Sequence, residues 1–393
     1  MVTEKAGEKK YLLMSVTAGV GLVPQVEKFG REIAGDSYKN YIVIRKYDFA
    51  YNKSATKEFP EGYISMLNQH DIAAVPNSIF TCFRVTDSTS YPPFFDYLFH
   101  NNYHGLWLRK YIEVGARAHG SLSIDTKYLW NMPLALPCLE EQQKIADCLS
   151  SLDVLIDAES RKLEALKKYK KGLMQKLFPA EEKTLPELRF REFNDSEWHF
   201  TRLGRIASVI TEKVGENKYL PMSVTSGVGL VPQTEKFGRE IAGDSYQNYI
   251  VIKKYDFAYN KSATKEFPQG YISMLSQYEI AAVPNSIFTC FRITDNETYP
   301  LFFNYLFHNN YHGHWLKKYI EVGARAHGAL SIDTKHIWTM PLYLPCSEEQ
   351  QKIAYCLSKI DSLIMKQESK VTMLKTHKKG LMQGLFPPLE EVD

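Results

Sequence analysis

The chain has 393 residues, room for two or three domains, with 44% hydrophobic and 24% charged residues, as in ordinary globular proteins. A formal net charge of +3 does not by itself announce a nucleic-acid binder, yet allows one basic face offset by acidic faces elsewhere. No apolar run approaches the roughly 18 residues a membrane span needs, and residues 1–10 are polar with no signal peptide, so a cytoplasmic protein is expected.

Along the chain, residues 41–51 (YIVIRKYDFAY) alternate as a β-strand does, and residues 71–87 read as a turn followed by a strand. Residues 91–111 carry a helical apolar pattern through Phe95, Leu98, Phe99, Trp107 and Tyr111. Gly62, Gly105, Gly115 and Gly120 are expected to punctuate turns. The abundance of Tyr and Phe suits β-rich cores. Together these predict a mixed α/β, mostly sheet, domain.

Residues 139–178 then form one long helical pattern. Ile145, Leu149, Leu152, Ile156, Leu163, Leu166, Leu173 and Leu177 recur at alternating steps of four and three, with only Glu159 and Lys170 polar on the stripe. That 3.5-residue period is the signature of a coiled coil. Pro137 and Pro179 bracket it, with acidic residues at its start and lysines towards its end.

The whole unit then repeats at an offset of 208 without a gap, residues 3–178 onto 211–386. In the globular part 112 of 136 positions are identical, against 24 of 40 in the helix. Two such globular parts should recognise nearly the same thing, while the helices keep only their packing pattern. The second stripe runs through Ile353, Leu357, Ile360, Ile364, Val371 and Leu374, with Gln367 and Lys378 at the two polar places. Each stripe needs a partner, and the expected one is the other helix, as an antiparallel coiled coil. The expected division is a first domain at 1–138, spacer helix 139–178, connector and lead 179–210, second domain 211–346, spacer helix 347–386 and a tail 387–393.

Three polar loops are candidates for contacting DNA. Lys53, Ser54, Thr56 and Lys57 place two cations and two hydroxyls within five residues, repeated as Lys261, Ser262, Thr264 and Lys265. Arg117 and His119 lie in a small glycine-flanked loop, repeated as Arg325 and His327. Arg31, after a glycine, repeats as Arg239. Arginine forks match guanine edges, and lysines and hydroxyls match phosphates. Solvated surface loops are the plain alternative reading.

Enzyme signatures are weak. Tyr91-Pro92-Pro93-Phe94 loosely resembles an amino-methyltransferase motif, but its counterpart Tyr299-Pro300-Leu301-Phe302 breaks it, and Gly19-Val20-Gly21 is a lone G-x-G. The six cysteines form no C-x-x-C pair and none has a histidine at zinc spacing, so no metal site and buried free thiols are expected.

Several strings carry a family resemblance: Met132 to Pro137 (MPLALP), Glu140 to Ala146 (EEQQKIA), Leu152-Asp153, Lys171 to Phe178 (KGLMQKLF), all recurring in the second copy, and Leu185 to Phe190 (LPELRF) followed by Trp198 and Leu203-Gly204. Over essentially its whole length the chain resembles the specificity subunits of type I restriction-modification systems. The resemblance implies two target-recognition domains reading a bipartite DNA site, spaced by two helices. It implies modification and restriction subunits as partners, with S-adenosylmethionine, ATP and Mg on those partners and no cofactor or catalysis in this chain. Near-identical copies imply equal half-sites, an interrupted palindrome. Family members usually carry a lead before both domains, and here residues 186–208 precede only the second. Self-association is plausible through the helical surfaces. A methyltransferase with a fused reader, or a coiled-coil scaffold that does not bind DNA, are the alternatives.

Overall fold

A computed structural model describes residues 1–17, 19–112, 122, 124–225, 227–262, 264–320 and 332–386. The chain forms two compact units: Met1–Arg161 with Ser369–Asp393, and Lys162–Glu368.

The first unit begins with the hairpin β1 (Met14–Thr17) and β2 (Gly21–Pro24), followed by the short helix α1 (Gln25–Phe29). β3 (Ile42–Arg45), β4 (Phe49–Asn52), β5 (Tyr63–Met66), β6 (Ile72–Val75) and β7 (Phe80–Phe83) follow. β3 pairs with β6, and β5-β4-β7 make a three-stranded antiparallel sheet. Residues 41–51 are thus two strands, broken where Tyr47 turns through φ 72, and 71–87 are strand, turn and strand. The β-like reading of 41–51 holds for two strands, and in 71–87 a strand, β6, comes before the turn as well as after it.

Helices α2 (Pro92–His100), α3 (Tyr103–Leu108) and α4 (Thr126–Trp130) lead into α5 (Leu139–Leu177). Pro92 opens α2 and Phe94 is buried in the core, which gives the Pro-Pro-Phe string a structural role. Gly105 lies inside α3, correcting the expected turn. A Cβ there would meet Asn102, in the left-handed conformation at φ 60, at 2.2 Å.

The second unit repeats this plan with four added elements, β8, α6, β9 and β17, among the described residues. It has β8 (His199–Arg202), α6 (Leu203–Ile206), β9 (Ala207–Val209), β10 (Met222–Thr225), β11 (Gly229–Pro232) and α7 (Gln233–Phe237). Next come β12 (Ile250–Lys253), β13 (Phe257–Asn260), β14 (Tyr271–Met274), β15 (Ile280–Val283) and β16 (Phe288–Ile293). α8 (Pro300–His308), α9 (Tyr311–Leu316), α10 (Lys335–Trp338), β17 (Pro341–Leu344) and α11 (Ser347–Leu385) complete it. Its sheet is four-stranded, β14-β13-β16-β9, and β17 pairs with β8.

The apolar stripe on each long helix is buried or half-buried from Ile145 to Leu177 and from Ile353 to Leu385, within one residue of the expected ends. In the first unit Met382 and Phe386 join Ile145, Ala146, Leu149 and the Phe94–Phe99 cluster. In the second, Met174, Leu177 and Phe178 join Ile353, Ala354, Leu357 and the Phe302–Phe307 cluster. Cys82 and Cys290 are buried free thiols, but Cys138 and Cys148 are exposed, correcting the expectation for those two; they sit at the start and on the outer face of α5. No helix among the described residues is long and apolar enough to cross a membrane.

Candidate nucleic-acid interface

In each unit the first hairpin, the short helix after it and the loop after β4 or β13 enclose an open cleft, of about 660 Å³ in the first unit and about 640 Å³ in the second. Gln25, fully buried, fixes one wall. Its Oε1 accepts from the Ile33 amide at 3.1 Å, and its backbone N–H donates to Leu13 O at 2.8 Å. Gln233 does the same with Ile241 and Pro221. The opposite wall is a polar turn: the Ser54 amide donates to Asn52 Oδ1 at 3.0 Å, and the Phe59 amide to Thr56 Oγ1 at 3.1 Å.

Lys28 projects from α1 into this cleft. Its Nζ donates to Val16 O at 3.2 Å and Ser15 Oγ at 3.4 Å, and lies 5.1 Å from the centre of the Phe29 ring. Lys236 repeats these contacts with Val224 O at 3.1 Å, Ser223 Oγ at 3.3 Å and Phe237 at 5.2 Å. Burial holds both ammonium groups below the usual lysine range. Among the described residues no carboxylate pairs with either. Thr17 Oγ1 and Thr225 Oγ1, also lining the clefts, are buried atoms with no hydrogen-bond partner. Phe29, Ile33 and Ile79 leave exposed apolar surface beside them, as do Phe237, Ile241 and Ile287. Unpaired cations and hydroxyls suit phosphates and base edges, and exposed apolar groups suit the thymine methyl.

Ser54, Thr56 and Lys57 line the first cleft, and Ser262, Thr264 and Lys265 the second. Lys53 is not among the lining residues, and Lys261 lines a separate cleft of about 380 Å³ with Lys213 and Trp338. Arg31 and Arg239 are exposed just past α1 and α7, outside the cleft walls. Arg117, His119, Arg325 and His327 lie outside the described residues. Sequence reasoning missed Lys28, Phe29, Ile33, Ile79 and their counterparts, because three separate stretches meet only in the folded domain. The one local signal was Lys28 two residues before Gly30, which caps α1 at φ 72.

His104 and His312 carry no such role. Each is buried, its Nε2 3.3 or 3.2 Å from the carbonyl of Gly62 or Gly270, and burial lowers each to about 4.

Two solved structures share this two-unit α/β architecture. A chain from the structure titled "Structural basis underlying complex assembly and conformational transition of the type I R-M system" superposes with a TM-score of 0.54 at 13% identity, covering 96% of this chain and 91% of that one. The type I restriction-modification system S subunit from M. genitalium gives 0.51 at 15% identity, covering 99% and 91%. The chain therefore shares the mixed α/β fold of these two structures. The family model described as "Type I restriction modification DNA specificity domain" matches residues 36–168 and 198–372, and the chain belongs to that family. Among curated proteins it is similar to the type I restriction enzyme MjaVIII specificity subunit of Methanocaldococcus jannaschii, 31% identical over 106 residues. It is also similar to the putative MjaX specificity subunit of that organism, 36% identical over 94 residues. These matches cover 26% and 23% of this chain and only 25% and 22% of those relatives.

Proposed function

We propose that this chain is the DNA-recognition subunit of a type I restriction-modification assembly and that its two clefts read equal half-sites of an interrupted palindrome. One observation carries the reading. All fifteen positions lining the first cleft recur at the 208-residue offset in the second, and all fifteen are the same residue. The globular segments differ at other positions, so the difference is kept out of the clefts. Two identical readers on a twofold arrangement read the same sequence on opposite strands.

The helices α5 and α11 then act as an antiparallel coiled-coil spacer about 58 Å long at about 1.5 Å per residue. In support, Asp153, early in α5, pairs with Lys378, late in α11, at 2.5 Å within the first unit. Lys170, late in α5, pairs with Asp361, early in α11, at 2.5 Å within the second. Methyl transfer and cleavage belong, in this reading, to modification and restriction subunits that carry S-adenosylmethionine, ATP and Mg. The chain itself holds DNA and those subunits and performs no chemistry.

The test is methylation mapping by long-read sequencing in cells carrying this chain with its modification subunit. An interrupted palindrome methylated on both strands is expected. Two unrelated half-sites would refute equal readers, and methyl transfer by the chain alone would refute the division of labour.

A further inference from the structure

Each cleft holds more exposed apolar surface than a phosphate site needs. Phe29 is 43% exposed, Ile33 50% and Ile79 42%, and their counterparts Phe237, Ile241 and Ile287 are 43%, 50% and 43% exposed. All six line the two clefts. Apolar side chains gathered in one concavity mark a surface that something covers. The group beside them is cationic: Lys28 Nζ lies 5.1 Å from the centre of the Phe29 ring, and neither Lys28 nor Lys57 has a carboxylate partner among the described residues. Glu58, the one carboxylate among the lining residues, is exposed next to Lys57 in the chain. Unpaired cations beside an apolar patch suit a polyanion that also presents an apolar group. On the major-groove edges of duplex DNA that group is the thymine methyl.

A hydrogen-bond donor stands next to this patch. Asn52 lies opposite Phe80 in the register of β4 and β7, and the Lys53 amide donates to Ile79 O at 3.4 Å, which sets Asn52 beside Ile79. Asn52 Oδ1 accepts from the Ser54 amide at 3.0 Å, so its Nδ2 is the group left for a ligand. Asn260 repeats this, accepting from the Ser262 amide at 2.9 Å, with the Lys261 amide donating to Ile287 O at 3.3 Å. Thymine offers an acceptor, O4, next to its methyl. Cytosine puts an N4 donor in that place, and adenine and guanine carry no methyl.

We propose that each cleft holds a thymine-specific subsite. In the first, the methyl rests on Phe29, Ile33 and Ile79 and O4 accepts from Asn52 Nδ2, while Lys28 is left for a neighbouring phosphate. In the second, Phe237, Ile241, Ile287, Asn260 and Lys236 do the same. The inference rests on the DNA-reading proposal and names a base that it reads. Because both subsites are built from the same residues, the thymine falls at the same place in each half-site.

The test uses the full chain with its modification subunit and duplexes of the mapped site. Each thymine is replaced in turn, in both half-sites, by uracil or by 5-methylcytosine paired with guanine. At one thymine position uracil should weaken binding about fourfold per half-site, the effect of one buried methyl. 5-Methylcytosine there should weaken it roughly tenfold per half-site, the effect of setting a donor against a donor. Phe29→Ala combined with Phe237→Ala should erase the uracil effect. Asn52→Asp combined with Asn260→Asp should reverse the preference between thymine and 5-methylcytosine, since the carboxylate still accepts from the Ser54 or Ser262 amide and turns an acceptor to the base. Unchanged thermal midpoints show that both variants are folded, and the base replacements test the parent chain without any variant. Sequence-specific binding with no uracil effect at any position, or a half-site without thymine, overturns the thymine subsite alone. Absence of any sequence-specific binding overturns the DNA reading beneath it as well.

Discussion

The Lys170 ammonium lies 2.5 Å from Asp361 Oδ1, and Asp361 Oδ2 in turn accepts from the Tyr305 hydroxyl at 2.7 Å. Their counterparts repeat the chain, Lys378 to Asp153 at 2.5 Å and Tyr97 to Asp153 at 2.9 Å. The two lysines that interrupt the apolar stripes are thus bound to the other helix, and each carboxylate ties that helix to its own domain. A polar pair within an apolar seam fixes register at a cost in stability.

Lys170→Met should therefore lower stability by about 1 kcal/mol, since the pair is partly solvated. The double variant Lys170→Met with Asp361→Leu should regain at least that much. Urea unfolding of the two single variants and the double variant gives the coupling energy. Strict additivity would show that the pair does not hold the register.

Lys28→Met and Lys236→Met should each weaken DNA binding to the same extent, several-fold, and each lower the salt dependence by about one unit of slope. Folding should be unchanged, because the methylene stem is kept. Titration against the mapped site at two salt concentrations decides it. Unequal effects would separate the two clefts in function.

Gly62 sits at φ +85, and a Cβ there would lie 2.4 Å from Asn52 O and 2.8 Å from the Tyr51 ring. Asn52 shapes the polar turn of the cleft. Gly62→Ala should cost about 2 kcal/mol or more from the strained backbone and the clash together. Gly270→Ala should match it, and a melting curve of either variant close to that of the parent chain would contradict this account.

Acid should destabilise the second unit more steeply than the first. Burial holds His308 and His312 at about 4, against about 6.5 when exposed. The unfolded chain then takes up protons between about pH 6.5 and 4 that the folded chain refuses. The stability tied to each is fully present above that window and is lost as pH falls through it, at up to about 1.4 kcal/mol per pH unit per group. In the first unit His104 behaves so, and Asp96 stands where the second unit has Asn304. The buried Asp96 carboxyl is raised, so its protonated form favours folding at low pH. Hydrogen exchange at pH 7.5 and 5.0, compared at β4 and β13, reads the difference. His308→Gln should flatten the loss in the second unit.

Much of this architecture was legible because repetition and period are one-dimensional signals. The 208-residue offset and the stripe from Ile145 to Leu177 gave the helix ends to within one residue. The strand pairs were less legible, since β4 and β7 are buried on both faces and carry no alternation. In the cleft, Ser54, Thr56 and Lys57 stood out as a local cluster, but Lys28 did not. Its contacts with Ser15 and Val16 come from the hairpin folding back on α1, and nothing near Lys28 in the chain encodes them.

The division of the chain into Lys162–Glu368 and a unit made of both flanking stretches bears on the order of synthesis. The second unit is contiguous, so a ribosome can release all of it while α11 is still growing. The first unit is not. Its seam against Ile145 and Leu149 includes Met382 and Phe386, which are synthesised after the whole of the second unit. The domain made first is therefore the one finished last, and during translation its apolar seam must wait for more than 200 residues, a period in which a nascent chain depends on chaperones.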